Sequence, residues 1–110
     1  MLTHCGIHRY AVKESERLIN KFERCLVKVA HSKNVNMKTG VAQIIAIQKI
    51  VNCESILISL TNDRNDIVKE NAYISLKGIK SKCCLEKAKR EMKINKNKKV
   101  QKAIKKYLGI

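Results

Sequence analysis

Nine basic side chains near the end of this 110-residue chain have the types and spacing for phosphate chemistry. Lys98, Lys99, Lys102, Lys105 and Lys106 recur at short helical steps, and Lys82, Lys89, Arg90 and Lys93 precede them. At about 100° per residue, the five lysines fall within about 120° on one side of a helix. Val100, Ala103, Ile104, Tyr107 and Leu108 fall on the other. Lysine ammonium groups neutralise phosphate as point charges, whereas bidentate reading of guanine favours arginine. Only five of the 24 basic residues are arginine (Arg9, Arg17, Arg24, Arg64 and Arg90). The chemistry implied is therefore backbone contact on a structured nucleic acid, largely independent of sequence. About five to eight phosphate contacts would give a log–log salt slope of roughly −4 to −7 on duplex DNA. An amphipathic lysine helix also suits an anionic membrane surface or an acidic protein partner.

Other groupings are weaker. His4-Cys5-x-x-His8, with Cys25 and His31 further on, offers zinc-ligand types but contains no Cys-x-x-Cys pair. Adjacent Cys83 and Cys84 point in different directions on a helix. Neither a Gly-x-Ser-x-Gly, a phosphate loop nor a paired-carboxylate motif is present. The nine acids read as helix-surface or turn residues, so no enzyme, metal or cofactor is expected. Base stacking needs an aromatic platform, and Tyr10, Phe22, Tyr73 and Tyr107 are scattered, with Phe22 expected in the core.

The elements that must position the lysines are helical. With 45% hydrophobic residues the chain can bury enough surface to order itself, and four glycines without proline leave too few turn-formers for a β-sandwich or barrel. No apolar run approaches a membrane span, and residues 1–13 lack a secretory h-region. The five cysteines are an odd number, read as free thiols in a reducing, cytoplasmic setting, with Cys25, Cys53 and Cys84 as core fillers.

A single helical domain is expected over 1–110, built from helix pairs at about 12–51, 52–79 and 80–110. Periodicity predicts a long amphipathic helix over 14–31, a polar connection over 31–40, and a central, most buried helix over 41–51. A short helix follows at 54–61 with Ile56, Leu57 and Leu60 inward, then a turn over 62–66 with Asp66 as N-cap. The next helix buries Val68, Ala72, Leu76 and Ile79, and Gly78 and Ser81 punctuate its end. Ser81 caps a helix over 82–93, the turn Asn95-Lys96-Asn97 follows, and the last helix runs from Lys98 to Leu108 with Gly109 at its C-terminal stop. The inner helices begin at Val41, Val68 and Val100, which makes three units, about the minimum for a helical stack.

The segment Leu60-Thr-Asn-Asp63-Arg-Asn-Asp66-Ile-Val68-Lys69-Glu-Asn-Ala72-Tyr-Ile-Ser-Leu76-Lys-Gly-Ile79 resembles the turn and second helix of a HEAT-like repeat: an acidic turn, a valine before a basic residue, then apolar residues at four-residue steps. Val100 to Leu108 is similar in a weaker form, and Val41 to Ile50 more weakly still. Lys69 stands where arginine is usual, Gln101 and Ala42 occupy that place in the other units, and the familiar proline is missing. The resemblance implies a curved stack of helical hairpins with a binding role; a compact helical bundle is the rival architecture.

The charge is uneven. Residues 1–40 hold eight basic and three acidic groups, residues 41–79 four of each, and residues 80–110 twelve basic and two acidic, so +10 of the net +15 lies in the last third. Lysine enrichment from an AT-biased genome would not spare the middle third. A field of this kind attracts polyanions. The function expected is non-catalytic binding of nucleic-acid backbone, RNA or a ribosome-like ribonucleoprotein surface more than DNA. A protein-interaction scaffold is the alternative.

Overall fold

Three of the helix starts in this chain are set by asparagine. The computed structural model describes residues 20–110, and their regular structure is helical throughout, with no strand among them. The described part of α1 covers 20–30; α2 is Val35–Ile47, a 3-10 turn spans Val51–Cys53, and α3 is Glu54–Leu60. They are followed by α4 at Asp66–Gly78, α5 at Leu85–Ile94 and α6 at Lys98–Leu108.

Asn34, Asn65 and Asn97 are the N-caps of α2, α4 and α6, 31 and 32 residues apart. Each side chain accepts from free N–H groups of the first turn: Met37 for Asn34, Ile67 and Val68 for Asn65, Lys99 and Val100 for Asn97. Two residues earlier, Ser32, Asp63 and Asn95 each accept the backbone N–H of the capping asparagine. Asparagine caps because its short carbonyl reaches N2 and N3 while its own backbone stays extended.

The stops match as well. Lys49, Lys80 and Gly109 all adopt positive φ, at 51°, 57° and 76°. Each is the left-handed residue of a Schellman closure, with paired bonds such as Lys49 N–H to Ala46 O at 3.2 Å and Ile50 N–H to Ile45 O at 3.0 Å. A lysine pays a steric penalty in that region that glycine escapes. Lys49→Gly and Lys80→Gly are each expected to stabilise by about 0.5–1 kcal/mol, read as a higher midpoint of thermal unfolding.

These boundaries correct several expectations. The connection after α1 is shorter than 31–40, because Asn34 starts α2 at Val35. Asp66 is the first residue of α4, and the cap is Asn65. Ser81 does not cap α5; its Oγ accepts the Cys83 N–H in a turn that also holds Lys82, and the helix begins at Leu85. Gly78 is the last residue of α4, though the left-handed stop beyond it is Lys80; a Cβ at Gly78 would come within 3.3 Å of the Ala46 Cβ, so the glycine also permits close packing on α2.

Packing gathers the three asparagine-capped helices. α4 packs against α2, α3 and α6, and α5 packs against α6. At one end Lys38 of α2 meets Asp63 just before α4 at 2.6 Å, and Asp66 accepts the side-chain amides of Asn95 and Asn97 before α6 at 3.2 and 3.3 Å. Further along, the Ser75 hydroxyl donates to Ala42 O at 2.7 Å. α2, α4 and α6 therefore run in the same direction, their N-termini together. Burial raises the Asp63 carboxyl, but the Lys38 ammonium and the Asn65 N–H outweigh it and hold Asp63 below the ordinary aspartate value.

The centre of the core is α4, not 41–51. Val68, Ala72, Tyr73 and Leu76 are fully buried, joined by Leu57, Ile45, Val100 and Ile104. Of the 41–51 segment Val41, Ala42 and Ile45 are buried, whereas Ile47 is 74% and Val51 58% exposed. Phe22, expected inside, is 41% exposed, and Cys25 is also exposed; Cys53 and Cys84 are buried as expected. Tyr73 is buried, its ring centroid 6.0 Å from that of Tyr107. Its hydroxyl has no partner among the described residues. An unpaired buried hydroxyl costs its hydration, so Tyr73→Phe should raise stability by about 1 kcal/mol, measured by denaturant unfolding.

Candidate nucleic-acid interface

α6 is held by one face and leaves the other to solvent. Val100, Ala103, Ile104 and Tyr107 are buried, and Lys98, Lys99, Lys102, Lys105 and Lys106 are all exposed. The Tyr107 hydroxyl oxygen accepts the Cys84 N–H at 3.1 Å, tying α6 to the start of α5. Gln101 Nε2 donates to Asn95 O at 2.8 Å and fixes the entry turn. Burial pushes the Tyr107 phenol above its ordinary value, so it stays protonated at neutral pH.

No α6 lysine lies within ion-pair distance of a carboxylate among the described residues. The lysines instead crowd one another. Lys98 and Lys102, and Lys102 and Lys106, are i,i+4 like-charge pairs, each unfavourable by roughly 0.2–0.5 kcal/mol. Lys98 and Lys99 also sit in a first turn without an acidic residue, at the positive end of the helix dipole. Lys105 and Lys106, in the last turn, suit the dipole. An anion laid along this face would relieve most of these costs.

The other predicted residues divide. Lys89 and Lys93 are exposed on α5, opposite its buried stripe of Cys84, Ala88 and Glu91. Lys89 lies 3.5 Å from Glu86, but both ends are solvent-exposed and such a pair contributes little. Lys82 is exposed in the turn before α5, not on the helix. Arg90 is exposed but lines a groove with Lys69 and Lys87, toward α3 and α4.

That groove was missed at the sequence level, although the spacing contained a signal. Lys87 and Glu91 stand three and seven residues after the buried Cys84, on its side of α5. Glu91, read as a surface acid, is buried and bonds Lys69 at 2.7 Å.

His4, Cys5 and His8 lie outside the described residues, as does Tyr10; Cys25 and His31 are exposed. Among the described residues no three His, Cys, Asp or Glu side chains are grouped to hold a metal, and no helix is long and apolar enough to cross a membrane. Comparison with protein-family models, curated proteins and solved structures finds no match for this chain.

Proposed function

We propose that this chain is a non-catalytic helical module that binds nucleic-acid backbone, RNA or a ribonucleoprotein surface in the cytoplasm in preference to DNA. The observation that carries this reading is the α6 face: five exposed lysines without carboxylate partners among the described residues, on a helix anchored by its opposite side. Lys82, Lys89 and Lys93 extend the positive field beside it. The contacts are charge-to-phosphate, so the mode is insensitive to base sequence and sensitive to salt. The same reading takes the fold as a short HEAT-like stack, supported by the asparagine caps and left-handed stops that recur on α2, α4 and α6.

A protein-interaction scaffold is the second reading. What favours it is a groove of about 770 Å³ lined by the apolar Phe22, Ile44, Ile50 and Val51 together with Lys49, none of them on α6.

Filter binding of the full chain to structured RNA, duplex DNA and an acidic polypeptide, at several salt concentrations, tests the first reading. RNA retained most tightly, with affinity falling linearly in log–log salt, is the expected result. Equal, weak retention of all three would remove it.

A further inference from the structure

A second cationic site lies between α3, α4 and α5, in a groove of about 500 Å³. Lys87, half-buried on α5, crosses to the end of α3 and donates to Thr61 Oγ1 and Asn62 Oδ1. Thr61 is itself buried and spends its own hydrogen on Ile58 O at 2.5 Å, which aims its oxygen lone pairs at the ammonium. Both partners of Lys87 are neutral, so they hold its position without cancelling its charge. One of its three N–H groups remains unused.

Lys69 and Arg90 line the same groove. Glu91 neutralises Lys69 at 2.7 Å, which leaves the charges of Lys87 and Arg90, about +2, without a carboxylate partner among the described residues. Burial pushes the Lys87 ammonium below the ordinary lysine value, and repulsion from Lys69 and Arg90 adds to this, against the opposing pull of Cys84 and Glu91. A flexible lysine would ordinarily swing into water to escape such neighbours; here hydrogen bonds hold it in the groove.

We infer that this groove binds a phosphate monoester, with Lys87 and Arg90 as its donors. The monoester carries close to two negative charges at neutral pH and three acceptor oxygens, matching the unneutralised charge, and the arginine fork suits two of those oxygens. A volume of about 500 Å³ falls in the range of small-ligand sites and exceeds what a bare phosphate fills. Ile58 and Ile94 give the groove apolar walls for the esterified group. A free nucleotide and the 5′-phosphorylated end of an RNA strand both present this chemistry.

The test is titration of the full chain with a nucleoside 5′-monophosphate and, separately, with the parent nucleoside, followed by calorimetry and amide shifts. The monophosphate is expected to saturate and to shift residues around 61–62 and 87–91, and the nucleoside is expected to do neither. Arg90→Gln and Lys87→Met should each weaken the monophosphate about tenfold, the loss of one charged hydrogen bond. Arg90 is exposed, so its variant keeps the fold and reads the site even if Lys87→Met does not fold. The same RNA strand with and without a 5′-phosphate then separates the sources. Preference for the phosphorylated strand assigns the site to a strand end, and equal affinity with monophosphate binding retained assigns it to free nucleotides. Equal response to nucleoside and monophosphate, or an unchanged affinity in Arg90→Gln, overturns the inference. A monophosphate does not span the α6 face, so its failure to bind leaves the backbone reading untouched, and loss of salt-dependent RNA binding leaves this one untouched.

Discussion

Glutamine in place of Lys98, Lys99, Lys102, Lys105 and Lys106 is expected to reduce affinity for structured RNA by roughly a thousandfold at about 50 mM salt, and by less near 200 mM. Each phosphate neutralised contributes about 0.7–0.9 to the log–log salt slope, so five lost contacts flatten it by roughly 3.5–4.5. All five side chains are exposed and make no ion pair among the described residues, so their charge does not hold the fold together. Glutamine matches lysine in helix propensity and removes the i,i+4 repulsions. Helicity should therefore persist and the thermal midpoint should hold or rise while binding is lost. Salt titrations and circular dichroism on the same sample read both effects. Arginine at the same five positions keeps the charge and should keep the slope. A variant that binds as the parent does would show that the face is merely solvated.

Leu76→Ala is expected to have the largest effect on stability, a loss of about 3–4 kcal/mol. Leu76 is fully buried on α4, the helix that packs against α2, α3 and α6, so its truncation opens a cavity within the core. That is a large share of the 5–15 kcal/mol typical of a domain, and the midpoint should fall by roughly 12–25 °C. Ile47→Ala is the matching control. Ile47 lies in the stretch whose composition reads as the most buried helix, yet it is 74% exposed, and its truncation should cost no more than about 0.5 kcal/mol. Similar losses in the two variants would contradict the core described here.

The contrast between those two positions shows what the chain reveals on inspection. Helices α4 and α6 are legible because their apolar and polar residues separate cleanly around the axis, and because Asn-rich turns precede them. α2 is apolar nearly all round, so periodicity carries no boundary information there, and its start depends on one asparagine side chain, Asn34. Its end depends on Lys49 in a conformation that lysine does not advertise. Phe22 and Cys25 share helical spacing with Leu26 of α1, but spacing gives a stripe without a width, and only Leu26 is buried. The α6 lysines could be read because exposure is the default for lysine. For Lys87 and Glu91 the spacing from Cys84 marks the side of α5 but not the burial, since partly buried charge is justified only by partners far away in the chain, here Thr61, Asn62 and Lys69.

The convergence of helix starts has an electrostatic consequence. Three positive dipole ends gathered on one edge would ordinarily draw a polyanion there. On this edge the asparagine carbonyls already occupy amides of each first turn, and Asp63 and Asp66 supply negative charge among them. The compensation is uneven: Lys38 already answers Asp63, and the first turn of α6 carries Lys98 and Lys99 with no acid of its own, so the positive field left on this edge lies at the start of α6.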